Sequence, residues 1–278
     1  DVEALAKARE LISVLPSNNE NTGVICECDD DLNRITAGLG THVKDTAVAL
    51  REISDNNWFL ELKADCAKEM VIGFIRLNGA IVGAVANRSE ILGEDGKVAK
   101  KFDSVLTMAG AYKAAHFVNF CDSFSIPVLT LTSVTGFASS VGEERSIARA
   151  LAQLTSAFAN ATVPKVNLIV GKAYGSAYIT MNSKHIGADL VFAYSDAEIG
   201  MMDAKLAAEI IYDGKDAATI SEKANEYAAL QNNPVAAAKR GFVDSIIEPA
   251  ATRKQLVYAF EMLYTKREFR PNKKHSTI

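Results

Sequence analysis

The chain has 278 residues, 49% of them hydrophobic and 23% charged, with 30 basic against 34 acidic side chains and a net charge of −4. That length allows one large α/β domain or two modest ones, and the charge balance lacks the basic excess of a nucleic-acid binder. No apolar stretch approaches the roughly 20 residues that span a bilayer, and no charged-then-apolar leader opens the chain, so a cytoplasmic protein is expected.

Residues 1–16 place Ala4, Leu5, Ala8, Leu11, Ile12 and Leu15 on one helical face, stopped by Pro16. Asp1 in place of Met, in mid-helix, sets the expectation of a piece of a longer polypeptide. Ser17–Gly40 is polar, acidic and glycine-containing, which reads as an extended linker. The expected division is therefore 1–44 as helix and linker, and 45–278 as the domain. Asp45–Ile53 reads as a short helix and Trp58–Leu62 as a strand. Val71–Leu77 and Ala80–Ala86 are β-rich runs around Asn78-Gly79, a strong hairpin signal. Ser89–Ser104 is charged and holds Gly93 and Gly96, which predicts a mobile excursion.

Met108, Ala111, Ala115 and Val118 repeat near helical spacing within Thr107–Phe124. A strand over Ile126–Ser133 ends in Val134-Thr135-Gly136-Phe137, and an alanine-rich helix follows over Glu143–Asn160. Glu143 and Glu144 at its start complement the helix dipole and are expected on a solvated face. Val166–Val170 is a buried-type strand that runs into Gly171-Lys-Ala-Tyr-Gly-Ser-Ala-Tyr-Ile-Thr-Met181. A strand turning through small residues into a helix leaves consecutive N–H groups unpaired at the helix mouth. Such a mouth can hold an oxygen that gains negative charge during a reaction.

Two short strands, Asp189–Ala193 and Ala197–Met201, come next, then Asp203 as N-cap of a helix carrying Leu206, Ala207, Ile210 and Ile211. Asn233-Pro234 opens another helix, Phe242–Ile246 reads as a strand, and Pro249 suits the first turn of a last helix. The tail from Lys266 is basic and is expected to be frayed or partner-bound. The recurring unit is hairpin or strand, helix, strand, helix, an α/β pattern of stacked ββα units. No Gly-x-Gly-x-x-Gly or phosphate-loop pattern follows a strand. Cys26, Cys28, Cys66 and Cys121 do not cluster with His42, His116, His185 or His275, so reduced thiols and no metal are expected.

Several of these segments in this order resemble a known family, the carboxyltransferase subunits of biotin-dependent acyl-CoA carboxylases and decarboxylases. The segments are Phe59–Leu62 with Val71–Asn87, Lys113–Asp122 with Ile126–Thr130, Ala161–Lys165, Lys172–Gly175, Ser183–His185, Pro234–Asp244 and Pro249–Arg253. The resemblance implies a crotonase-like spiral of ββα units and the biotin-side half of the enzyme. Acyl-CoA would sit on a separate carboxyltransferase domain or subunit. It also implies a biotin carrier protein as partner, a homo-oligomer, and biotin as the cofactor that brings the carboxyl group. Its oxyanion hole falls on the backbone N–H groups of Ser176 and Ala177. Gly136, Phe137, Gly175 and Tyr178 fall to cofactor binding and Ile179 to the acyl-pocket floor. The family pattern usually has glycine at Ser176, proline at Thr135, a longer loop at 138–144 and glycine at Asp203.

Two other readings stand beside this one. A stand-alone crotonase-like hydratase, isomerase or hydrolase would need a nearby acid, for which Glu198 is the candidate. A non-catalytic scaffold subunit would keep the fold alone. Tyr174 and Tyr178 are expected to pack with tethered hydroxyls, and His185 to be structural. Lys172 reads either as a solvated lysine or as a group that attracts phosphate or a carboxylate.

Overall fold

Asn78 and Gly79 both take positive φ, 51° and 76°, as a two-residue hairpin turn requires. They join two eight-residue antiparallel strands, in register from Met70↔Asn87 to Leu77↔Ala80. A Cβ on Gly79 would lie 1.9 Å from the Cys26 carbonyl oxygen, so only glycine fits under the linker that crosses there. The computed structural model of the chain describes residues 2–18, 21, 24–93 and 95–270. Parts of the expected linker (19, 20, 22, 23), residue 94 of the expected excursion and 271–278 of the tail lie outside them.

In chain order the helices are α1 (Val2–Val14), α2 (Leu39–His42), α3 (Thr46–Ile53), α4 (Met108–Ser123), α5 (Val141–Glu144), α6 (Ile147–Asn160), α7 (Gly175–Thr180), α8 (Ala204–Ile211), α9 (Ala217–Tyr227), α10 (Pro234–Lys239) and α11 (Thr252–Leu263). The strands are β1 (Phe59–Leu62), β2 (Met70–Leu77), β3 (Ala80–Asn87), β4 (Glu90–Leu92), β5 (Val98–Lys101), β6 (Val105–Leu106), β7 (Val128–Val134), β8 (Gly136–Phe137), β9 (Lys165–Tyr174), β10 (Leu190–Tyr194), β11 (Glu198–Gly200) and β12 (Ser245–Ile247). Eight strands form one sheet in the order β1-β2-β3-β7-β9-β10-β12, with β11 pairing the far end of β9. The first pairs are antiparallel, and from β3–β7 onward they are parallel.

Side chains alternate across this sheet as the pleat dictates. Met70, Ile72 and Phe74 of β2 join a core shared with α4, α6 and α7, whereas Val71, Ile75 and Leu77 join one shared with α3 and α11. On the α7 side the alternation puts polar Thr130, Thr132 and Asn167 inside, all fully buried. A polar row there needs partners, and those partners lie at the end of α7.

The structure corrects several expectations. Residues 89–104 hold an antiparallel pair, β4 and β5, in place of a mobile excursion. The helix expected over Glu143–Asn160 breaks at Arg145–Ser146 into α5 and α6. Glu143 is not simply solvated: its Oε2 accepts the Met108 N–H at 2.6 Å and so caps α4. The last strand is shorter and later than Phe242–Ile246. Lys266, expected in a frayed tail, donates to Asp189 Oδ2 at 2.9 Å and to the Val163 carbonyl at 3.1 Å. Helix α9 was unforeseen.

Residues 24–44 are tied into the body by a buried charge cluster. Arg253 is fully buried, with Nη1 donating to the Ile53 carbonyl at 2.9 Å. Its Nη2 lies 2.7 Å from Asp55 Oδ1 and 3.4 Å from Asp30 Oδ2 as close charge pairs. Asp55 in turn accepts the Gly79 N–H at 2.7 Å. Asp30 accepts from Arg34, whose guanidinium also reaches the Glu52 and Ser54 carbonyls.

Lys165 opens β9 with its ammonium inside the protein, donating to the Phe158 carbonyl at 2.7 Å. Burial first, then the neighbouring Lys266 charge, bring its pKa down to about 8. Between about pH 8 and the free-lysine value of about 10.4 the unfolded chain holds more protons. Stability should therefore rise with pH across that window. Lys165→Met should add up to about 2 kcal/mol at pH 7 and remove the rise. Urea denaturation at pH 7, 8, 9 and 10 checks both, and an unchanged slope in the variant would contradict the assignment.

Among the described residues, no helix is long and apolar enough to cross a membrane.

Candidate active site

Strand β9 runs on past the apolar Val166–Val170 to Tyr174, and the chain turns directly into α7. Gly175 makes the turn with φ 56°, and a Cβ there would meet the Met201 carbonyl oxygen at 3.0 Å. Among the described residues, no side chain caps the helix. Ser176 and Ala177 occupy its second and third positions, where an N–H has no intrahelical acceptor. The Ser176 side chain is exposed and, among the described residues, its hydroxyl has no hydrogen-bond partner.

These residues line an open cleft of about 380 Å³. Thr135, Gly136 and Phe137 form one wall, held by the parallel pairing of β8 with β6. Lys172, Tyr174, Gly175, Ser176 and Ala177 form the floor, and Met201, Met202, Asp203 and Leu206 the opposite wall. Four of the expected site residues other than Gly175 (Gly136, Phe137, Ser176 and Ala177) thus meet in one place with it. Thr135, Ser176 and Asp203, three positions that differ from the usual pattern, line the same cleft.

Two expected residues lie elsewhere. Tyr178 is buried behind α7, edge-on to His185 with ring centroids 6.0 Å apart. Burial pushes its hydroxyl up to about 12, and among the described residues that oxygen has no hydrogen-bond partner. Ile179 is half-buried and does not border the cleft. His185 stacks against Phe242 at 4.3 Å, and burial lowers its pKa, which favours a packed neutral imidazole.

The far end of α7 is anchored by the polar row under the sheet. Thr132 Oγ1 donates to Asn167 Oδ1 at 2.8 Å and lies 3.3 Å from the Met181 carbonyl. Asn182, with φ 53°, donates to Thr130 Oγ1 at 3.2 Å. Thr180 and Ser183 hydroxyls close back onto the Ala177 and Ile179 carbonyls, both at 2.9 Å. A six-residue helix has little rigidity alone, so these bonds fix where its first turn points.

Charged groups gather on the floor and the α8 wall. The parallel pairing of β11 with β9 sets Glu198 beside Lys172. Glu198 accepts a hydrogen bond from the Tyr174 hydroxyl. Burial and then this bond hold the Tyr174 proton far above the usual phenol range. Asp203 caps α8 as expected, accepting the Lys205 N–H at 2.9 Å. Lys172 Nζ lies 3.5 Å from Asp203 and 3.8 Å from Glu198. Asn232, on a turn of π-helix over Ala228–Asn232, is buried and donates to the Met202 carbonyl at 3.0 Å. Sequence reasoning missed the Glu198 and Asn232 contacts, since each depends on chain segments about thirty residues apart meeting in space. Glu198 itself does not border the cleft.

A family model described as the carboxyl transferase domain matches residues 1–278. The putative propionyl-CoA carboxylase beta chain of Bacillus subtilis (strain 168) is 42% identical over 286 residues, covering 99% of this chain and 54% of that protein. Methylmalonyl-CoA decarboxylase subunit alpha of Propionigenium modestum is 39% identical over 292 residues, with 100% and 54% covered. Transcarboxylase 12S, solved with methylmalonyl-coenzyme A and methylmalonic acid bound, matches with a TM-score of 0.85 at 38% identity, over 97% of this chain and 52% of that one. The chain spans about half the length of the curated relatives it matches. With its crotonase-like α/β fold, the chain belongs to the carboxyl transferase domain family.

Proposed function

We propose that the chain is the biotin-side half of a biotin-dependent acyl-CoA carboxyltransferase. The observation that carries this reading is the cleft whose floor holds two main-chain donors, at Ser176 and Ala177, with no acceptor inside the helix. Its volume of about 380 Å³ is in the range that holds small ligands, roughly 300–1,000 Å³. Its opening toward solvent suits a group delivered on a carrier protein. When bound in its N-carboxylated form, biotin supplies the carboxyl group and a ureido oxygen that gains negative charge as that group leaves.

The Ser176 and Ala177 N–H groups would hold that oxygen. Donors already in place where charge develops cost no reorganisation during the reaction, and each is worth about 2.7–4 kcal/mol. Gly136, Phe137 and Gly175 would border the ring system. Ile179, half-buried on α7 outside the cleft, is the residue left to meet an acyl chain held by the second half. The acyl-CoA thioester would sit on a separate domain or subunit, across an oligomer interface. The names of the relatives favour a propionyl- or methylmalonyl-type thioester.

Carboxyl exchange between free biotin and malonyl-type CoA thioesters tests the reading. The purified chain should show none alone and gain it when an acyl-CoA-binding half is added. Robust exchange by the lone chain would refute the division of labour.

A further inference from the structure

We propose that Lys172 is the carboxylate-binding residue of the cleft, held loosely between Asp203 and Glu198 until an incoming carboxyl group takes it. The proposal rests on the biotin-side reading and names a side chain which that reading does not use.

Two lysines with close partners make the contrast, whereas Lys44, Lys97, Lys101 and Lys205 lie 3.6–3.9 Å from their acids, as loosely as Lys172, but outside the cleft. Lys184 Nζ sits 2.7 and 2.9 Å from the Asp244 carboxylate. Lys113 Nζ, with three N–H donors, lies 2.7–3.3 Å from four carbonyls. Charge-assisted bonds of this kind normally close to about 2.7–2.9 Å. Lys172 has carboxylates on two sides, yet its shortest contact is 3.5 Å, and 47% of its side chain is exposed.

Both carboxylates are committed elsewhere. Asp203 Oδ1 accepts the Lys205 N–H that caps α8, which leaves Oδ2 at 3.5 Å from the ammonium. Glu198 Oε2 takes the hydroxyl of Tyr174, which is buried. Each acid spends one oxygen on its own bond, and neither closes on Lys172 to the distance of a charge-assisted bond. The ammonium therefore keeps donor capacity facing the cleft, on the same floor as the Ser176 and Ala177 N–H groups. A ligand that pairs an oxygen acceptor with a nearby carboxylate could use both at once. Asp203 is the competitor for that carboxylate, because it also borders the cleft.

The test titrates the isotope-labelled 278-residue chain with two ligands while following backbone amide shifts. One is biotin methyl ester. The other is the same ester carrying a stable carboxymethyl group on the ureido nitrogen. Wild type should bind the acidic ligand about five- to tenfold tighter at low salt, and the preference should shrink as salt screens it. In Lys172→Met the acidic-to-neutral affinity ratio should fall to about one, and Lys172→Arg should retain part of it. Asp203→Asn, which can still cap α8, should raise the ratio about threefold over wild type. Equal affinity in wild type, or a preference that survives in Lys172→Met, would overturn the role of Lys172 alone. If neither ligand shifts the Ser176 and Ala177 amides, the biotin-side reading falls and this proposal with it.

Discussion

Replacing Ser176 by proline should lower carboxyl transfer by about 10²–10³-fold in the assembly with the acyl-CoA-binding half, because it deletes one main-chain donor. Proline is tolerated in a first helical turn, where its missing N–H has no intrahelical acceptor. The position is exposed, so the ring need not displace core side chains. Ser176→Ala and Ser176→Gly keep the N–H and should retain most of the rate. Steady-state kinetics of the three variants, with melting curves as a control on folding, separates the amide from the hydroxyl. An alanine variant as impaired as the proline one would move the chemistry onto the serine side chain.

The largest stability effect should come from Arg253→Met, a loss of about 3–5 kcal/mol. The side chain is fully buried and faces Asp55 and Asp30, so its removal leaves buried Asp55 without a counter-charge among the described residues and Asp30 with Arg34 alone. For a chain of this size each kcal/mol moves the melting temperature by about 2–4 °C, which puts the fall near 10 °C. Lysine should rescue little, because one ammonium cannot serve partners that a planar guanidinium reaches from three nitrogens. Burial alone would raise the Asp30 pKa, but the Arg34 hydrogen bond, the Asn56 N–H and the Arg253 charge together hold it below its ordinary value. A carboxyl depressed in the folded state adds stability above its unfolded pKa of about 3.9 and loses it as pH falls through the folded value. Wild type should thus lose stability in acid more steeply than Asp30→Asn. Urea titrations at pH 7, 4 and 3 measure both effects.

How far the sequence reaches depends on whether a feature is local. The hairpin around Asn78-Gly79 was readable because two adjacent residues with positive φ join two apolar runs. The turn at Gly175 was readable for the same reason, a strand pattern ending in small residues. The α8 cap at Asp203 was also visible in a few neighbouring residues. Helix α9 was not, because Asp216 caps a mostly polar segment with one buried residue, Ala224, and only Ile220 and Tyr227 as large apolar side chains. The β4–β5 pair hid behind glycines and charges that also suit a loop. Tertiary links had no local trace: Glu143 caps a helix that starts 35 positions earlier. The same holds for Tyr178, whose place beside the mouth in sequence gave no sign that its ring turns inward onto His185.

The ring of carbonyls around Lys113 has a consequence of its own. Residues 63–70 wrap an ammonium whose donors meet the Lys63, Cys66, Ala67 and Met70 oxygens, much as loops elsewhere wrap a bound cation. Here the ion is covalently attached to α4. The corner leading into β2 therefore keeps its shape whatever chelator or counter-ion the solution holds, and it opens only when α4 itself moves.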